Sequence, residues 1–440
     1  MKIVESFKNI GRIPELRNRI LFTCGILIVF RLGSHIALPG VNPDAIMGFQ
    51  ESLKGSLQSL FHIMQVFTGG SFGNLALFGL GIMPYITASI IMQLMTKVSP
   101  ALEAVAKEGP AGQRKIGQYT RYLTVPICIV QAWMAVGQLK AIPSEHSIFL
   151  SSGFGTTLQM VLGLTAGALF VMWLGEQITE YGLGNGASIL IMAGIIARMP
   201  QIWYELFDQS RKGDITFDKV LLMAILFLAA IAGTVLITQA QRRIPIQHAK
   251  HFKGRRVMQG QRNYLPLRVN TAGVMPVIFA SSLLVIPSIL SLVPGLGFLG
   301  TIATPGSFTY MTFFAGMIFA FSYFWTYLFF PPMDLANNLK EYGSFVPGIR
   351  PGENTAVYLN GILARITLAG AAFLCVIALL PDMVSGWVGL RKNFTAFLGG
   401  TGILIVVGVC LDIAQKIESH LLMHHYEGFV GGGGSIRGRR

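Results

Sequence analysis

The chain is expected to be an all-α polytopic membrane protein with ten transmembrane helices. Three observations predict it. First, hydrophobic residues make up 52% of the 440 residues and charged residues only 12%, about half the charged share of an ordinary soluble domain. A soluble chain of this length would form two or three domains. Second, ten stretches approach the ~20 apolar residues needed to cross the hydrocarbon core. Third, the 241–268 segment carries eight basic residues and no acidic one. It lies between the uncharged stretches 220–238 and 269–293. Lys and Arg resist translocation, so such a segment stays on the cytoplasmic side and fixes orientation.

The ten expected spans are 20–38, 75–96, 119–138, 156–175, 187–204, 219–239, 269–293, 310–331, 362–380 and 396–415. The first contains Arg31, which is costly near a bilayer centre. It is read as snorkelling to the outer interface or pairing inside the bundle, in preference to a functional charge. The fifth contains Arg198 near its end. The second carries Pro84 in its middle, where a proline removes a hydrogen bond and kinks a helix. No other span has an ionisable residue near its middle.

With the N-terminus inside, the inner segments collect most of the 34 Lys and Arg residues. They are the 1–19 segment, the 97–121 loop, the 241–268 loop, the segment after Pro331 and the tail. Both termini are therefore expected in the cytoplasm. Residues 1–19 read as a basic amphipathic segment on the inner surface, with no cleavage site of a removable signal peptide. The tail 416–440 ends in a Gly-rich, then basic stretch.

Ten spans divide after the fifth. The N-terminal half is 20–204, the external connection 205–218 and the C-terminal half 219–415. The latter half carries cytoplasmic loops at 241–268 and 332–361. Each half holds an odd number of spans, so any repeat relating them has inverted topology and would place a path at their interface. One apolar segment is too short to span. Between Gly55 and Gly69, the residues Leu57, Leu60, Phe61, Met64 and Phe67 recur at helical spacing. Its length of about 18 Å falls well short of the ~30 Å core. Periodicity leaves two readings open: a re-entrant helix entering the bundle, or an interfacial helix lying flat outside.

No catalytic machinery is legible. The sequence has no Walker A motif, no nucleophile with a base and no metal-ligand set. The four cysteines lie far apart inside spans, as small apolar packing residues rather than a disulfide framework. His420, His424 and His425 cluster on the tail, where a solvated face is the simpler reading. No cofactor is expected.

Seven stretches, taken together, are more specific. They are FRLGSHIALPGV (30–41), FGLGIMPYITASIIMQL (78–94), KEGPAGQRKIGQYTRY (107–122), MWLGEQITEYGLGNGASI (172–189), NYLPLRVNTAGVMPVIFASS (263–282), FVPGIRPGENTA (345–356) and LGGTGILIVVGV (398–409). In this order, over nearly the whole chain, they resemble the SecY family, the pore-forming subunits of the bacterial Sec protein-conducting channel.

The resemblance implies two inverted five-helix halves around a central pore, closed by a short re-entrant plug helix at 57–67. The matching constriction positions are Ile82, Ile86, Ala187, Ile191, Ile278 and Ile405. Such a ring offers water and ions no hydrogen-bonding group, so passage costs dewetting. Ala187 departs from the bulky aliphatic pattern; a smaller residue there would widen or unseal the ring slightly, unless a neighbour such as Leu190 fills the gap. Isoleucine in a membrane helix ordinarily packs or faces lipid, and only the resemblance singles these positions out.

The resemblance also implies a lateral gate with polar positions Thr87, Gln131 and Asn270, although such groups can equally satisfy nearby backbone, Thr87 especially. Arg242, Arg243, Arg255, Arg256 and Arg350 match docking positions for a ribosome or motor, through salt-sensitive contacts with phosphates or acidic surfaces. The implied partners are the membrane subunits SecE and SecG, the SecA ATPase, the ribosome, signal sequences, unfolded polypeptides and membrane lipids. The implied location is the bacterial inner membrane. A secondary transporter is the rival reading, but it ordinarily keeps ionisable residues near the midplane. An intramembrane enzyme would need paired catalytic groups within spans. Both rivals fit the sequence poorly.

Overall fold

A computed structural model of the chain describes residues 13–42, 65, 68–141, 153–212, 216–248, 251–253, 256–258, 262–290, 307–388 and 400–431. The chain is an all-α polytopic membrane protein with short β-strands in the 241–268 and 332–361 segments. Five helical stretches among the described residues are long and apolar enough to cross a membrane: Phe154–Tyr181, Gly186–Arg211, Phe217–Gln239, Phe308–Glu341 and Glu353–Leu380. Each of the ten expected apolar stretches overlaps a helix. The fold divides into two compact units, Met1–Tyr204 with Val409–Arg440, and Glu205–Gly408.

In the first unit, α1 (Pro14–Gly33) opens on a proline, whose missing N–H is no loss in a first turn. The helix begins six residues before the expected span and ends at Gly33, five residues before its expected end, which puts Arg31 in its last turn. There Arg31 donates to the Gly69 carbonyl at 3.4 Å, so it pairs within the protein. α2 (Met83–Val98) corrects the expected second span. Pro84 does not kink a long helix but sits at the start of a short one. Residues 68–82 form a chain of turns instead, with Gly69, Gly70, Gly81 and even Leu75 at positive φ. Sixteen residues of α2 rise only about 24 Å, so irregular backbone continues this apolar stretch.

That backbone is largely buried in protein, as irregular structure at membrane depth must be. Residues 36–38 pair with 75–77 through an antiparallel bridge, Leu38 N to Leu75 O at 2.9 Å and Leu77 N to Ile36 O at 2.8 Å. α3 (Pro100–Lys107) precedes α4 (Pro110–Ala141), and α4 lies between α2 and α5 (Phe154–Tyr181). α6 (Gly186–Arg211) follows a glycine-rich turn. Leu38, Phe72, Leu80, Val136, Met160 and Leu164 share the core. A Cβ on Gly167 of α5 would fall 2.1 Å from the Leu77 carbonyl oxygen, so only glycine lets the 76–78 backbone lie against that helix.

The second unit contains α7 (Phe217–Gln239), α8 (Met275–Leu290), α9 (Phe308–Phe329), α10 (Pro332–Glu341) and α11 (Glu353–Val388). α12 (Gly400–Gly431) begins here and continues into the first unit. α8, α9, α11 and the start of α12 share a core of Val277, Phe314, Ile318, Leu374 and Leu404.

The 241–268 segment, expected as a loop, forms two hairpins. β1 (Gln241–His248) pairs with β4 (Arg262–Arg268) in the register Ile244↔Leu265. Between them, β2 (His251–Lys253) pairs with β3 (Arg256–Met258). β5 (Ser344–Phe345) adds to the other edge of β1, so the 332–360 loop and the hairpin form one body. Burial alternates along β1 as a half-buried strand requires, with Ile244 and Ile246 buried and Arg243 and Pro245 exposed. Ile244 and Leu267 join Val346, Leu359 and Leu363 in a second core.

Candidate functional site

The ring positions fall on four helices and on the residue before one of them. In the first unit, Ile82 caps α2, Ile86 lies one turn later, and Ala187 and Ile191 open α6. Ile82, Leu190 and the backbone of Ala187 approach Gly175 of α5. A Cβ there would contact Ile82 Cδ1 at 3.1 Å, Leu190 Cδ1 at 3.4 Å and the Ala187 backbone nitrogen at 3.6 Å. Leu190 is fully buried and packs toward α5 at Gly175. In the second unit, Ile278 lies on α8 and Ile405 on α12. These two helices approach where Gly408 faces Val274 (3.1 Å from a Cβ on Gly408 to Cγ2), one turn from each isoleucine. The five isoleucines are between 1% and 8% exposed. Ala187 is half-buried.

The polar positions behave differently from one another. Thr87 donates to the Met83 carbonyl at 3.0 Å, satisfying its own helix backbone. Gln131 is half-buried on α4, and Asn270 is buried in the second unit. Asn270 begins the turn into α8, and a Cβ on Gly370 of α11 would fall 2.6 Å from the Val269 carbonyl oxygen. Glycine there lets the 269–270 backbone seat on α11. Its neighbour Thr271 joins a buried hydroxyl group, 3.1 Å from Thr326 Oγ1 of α9.

Of the basic positions, Arg242, Arg243 and Arg350 form an exposed platform. Arg242 and Arg243 are exposed on β1, and Arg350 is exposed in the turn that follows β5. Thr355 donates to the Arg350 carbonyl at 2.9 Å, fixing the turn while leaving the guanidinium outside. The core shared by β1, β4, the turn and α11 holds these charges on one body. Arg256 pairs with Lys253 in the inner hairpin. Arg255 lies outside the described residues.

Electrostatics separate this platform from the 97–121 loop. There Lys107 pairs with Glu103 and Lys115 with Glu108, each at 2.9 Å. The hydrogen bond and charge of Lys107 hold the Glu103 carboxyl below its usual range, and Glu108 raises the Lys115 ammonium above its own. Among the described residues, no carboxylate pairs with Arg242, Arg243 or Arg350. The first loop neutralises part of its charge, whereas the platform presents its charge outward.

The sequence profile of the SecY family matches residues 76–414. The chain belongs to the SecY family. The protein translocase subunit SecY of Pseudomonas aeruginosa is 44% identical over 428 residues, covering 96% of this chain and 94% of that protein. A solved protein-conducting channel shares the fold with TM-score 0.61 at 19% identity, covering 97% of this chain and 99% of the other. Sec61 in a canine ribosome–channel complex does so with TM-score 0.58 at 17% identity, covering 97% and 99%. As a SecY-family member, the chain is the channel-forming subunit of a protein translocase and is not an enzyme.

The expected plug residues Leu57, Leu60, Phe61, Met64 and Phe67 lie outside the described residues. Gln65, between them in sequence, is helical and buried. Sequence reasoning missed two features. Arg121 of α4 pairs with Glu176 of α5 at 2.5 Å, although Glu176 lies just past the expected fourth span. The alternation RIPIQ in β1 and LPLR in β4 was the available signal for the hairpin, obscured by a proline in each strand.

Proposed function

We propose that this SecY-family channel passes unfolded secretory polypeptides across the bacterial inner membrane and releases hydrophobic helices sideways into lipid. Ten spans, with both termini cytoplasmic, form two inverted halves at 20–204 and 219–415. Ile82, Ile86, Ala187, Ile191, Ile278 and Ile405 form the waist between them, with Leu190 supporting Ala187. The observation that carries this reading is the burial of five isoleucines at the positions matching the family's constriction. Apolar side chains yield to an extended chain of any sequence, and they refuse ions when the chain is absent.

The 57–67 segment serves as the plug, and Thr87, Gln131 and Asn270 line the lateral seam. Polar contacts of roughly 1 kcal/mol or less each suit a seam that opens and closes. The outward charge of Arg242, Arg243, Arg255, Arg256 and Arg350 supports docking to ribosomal RNA phosphates or to the acidic surface of the SecA motor. SecE and SecG complete the complex in the membrane.

Import into proteoliposomes tests the reading. Purified channel with its companion subunits and motor should import an unfolded secretory precursor. It should stall when the same precursor is locked folded by a tight-binding ligand. Import of the locked form at the same rate would contradict a narrow apolar waist.

A further inference from the structure

Two threonines on different helices hold the backbone of the turn between α5 and α6. Thr179 Oγ1 donates to the Gly175 carbonyl of its own helix at 2.9 Å. It also accepts from the N–H of Gly186, the first residue of α6, at 2.9 Å. Thr23 of α1 repeats the pattern. Its Oγ1 donates to the Arg19 carbonyl at 2.8 Å and accepts from Leu183 N at 3.3 Å. A hydroxyl has one proton and two lone pairs. Spending the proton on its own helix turns a lone pair toward the incoming N–H, so each side chain bridges its helix to the turn.

The turn needs these acceptors, because the first four N–H groups of a helix have no partner within it. At the start of α6, Thr179 serves Gly186 N, and Asn185 Oδ1 serves Ser188 N at 3.4 Å. Glycines let the turn sit this close. A Cβ on Gly186 would fall 1.8 Å from the Gly175 carbonyl oxygen, and one on Gly182 would fall 2.6 Å from Thr23 Oγ1. Gly184 has φ of +94°, a region that side chains disfavour. Thr23, Gly182, Leu183 and Gly186 are buried, whereas Thr179 is exposed.

Ala187 directly follows Gly186, and Ile191 lies one turn further along the same face of α6. A slip of one residue at the start of α6 would rotate both by about 100° and move them about 1.5 Å along the axis. We propose that Thr179 and Thr23 are positioning residues that fix the rotation and depth at which α6 presents Ala187 and Ile191 to the apolar waist. The role rests on the waist reading proposed above. Packing alone is a poor guide to rotation here. Ile189, Leu190 and Ile191 are consecutive buried aliphatics, so one can stand in for the next. Hydrogen bonds to fixed backbone atoms are directional, and they select one register.

The test uses the full chain with its companion subunits in vesicles. It reads resting ion conductance, and hydrogen exchange over residues 183–191. Thr179→Val and Thr23→Val keep the side-chain shape and remove the hydroxyl. Each should raise conductance several-fold and speed exchange of that segment, whereas Thr179→Ser and Thr23→Ser should match the parent in both. Thr179 is exposed, so its valine variant tests the bond without disturbing a core. Ile191→Ser serves as a direct breach of the waist. Valine variants that conduct like the parent while Ile191→Ser leaks would overturn the positioning role. Unchanged exchange in Thr179→Val would also overturn it, as would serine variants that leak as much as the valine ones. Parental conductance in Ile191→Ser would contradict the waist reading itself, and the threonines' role with it.

Discussion

Arg121 and Glu176 join α4 to α5 across 55 residues of sequence, with Nε donating to Oε1 at 2.5 Å. The arginine side chain is 52% exposed and the glutamate 21%. Partial exposure limits the worth of such a pair to about 0.5–1 kcal/mol. Arg121→Gln and Glu176→Gln should therefore each lower thermal stability in detergent modestly, and the double variant should be no worse than either. Additive losses in that double-mutant cycle would show that the two side chains are not coupled.

Thr326 is a hub in the second unit. Its hydroxyl lies 3.1 Å from Thr271 Oγ1, 3.2 Å from Thr367 Oγ1 and 2.8 Å from the Ser322 carbonyl oxygen. These bonds tie the turn before α8 to α9 and α11. Thr326→Val keeps the shape and removes the hydroxyl, and should cost about 1–2 kcal/mol at roughly 0.6–1 kcal/mol per interhelical bond. Thr326→Ser should recover most of it. Equal denaturation profiles for the valine variant and the parent would remove Thr326 from this role.

Two glycines should respond in opposite directions to alanine. At Gly167 a Cβ would meet the Leu77 carbonyl oxygen at 2.1 Å, so Gly167→Ala forces α5 away from the 76–78 backbone. Overfilling of this kind costs about 1–3 kcal/mol. At Gly117 of α4 nothing lies within 4 Å. Gly117→Ala should stabilise by about 0.5–1 kcal/mol through helix propensity alone. Melting of both variants in detergent checks the contrast, and destabilisation at Gly117 would argue that an unseen neighbour covers it.

Arg350 is the cleanest site for a charge test, because Thr355 holds its backbone while its side chain is exposed. Arg350→Glu should reduce motor-driven translocation at least tenfold and leave insertion of membrane proteins near normal. Rescue of translocation at low salt, where attraction to an acidic partner is strongest, should occur for Arg350→Gln and not for Arg350→Glu. Undiminished translocation by the glutamate variant would reject the docking role.

The helical framework was legible because apolar runs of spanning length can hardly be anything else, and charge bias then orders them. The second span misled because hydropathy does not distinguish helix from buried irregular backbone. Gly81 and Pro84 carried that information, since positive φ ends a helix and proline begins one. The platform hairpin was hidden by Pro245 and Pro266, which usually argue against strands. The ring positions are aliphatic residues that any membrane helix might hold, so only the family resemblance picked them out. The Arg198–Gln65 bond was beyond reach, because nothing local links two residues 133 apart in the chain.

Site-specific photocrosslinking from Ile86 and Ile278 to a stalled secretory chain in membrane vesicles tests the central claim most directly. The account predicts crosslinks from both positions, dependent on a signal sequence and an energy source. Absence of crosslinks at either position, while the same vesicles translocate efficiently, would contradict a polypeptide path through the isoleucine waist.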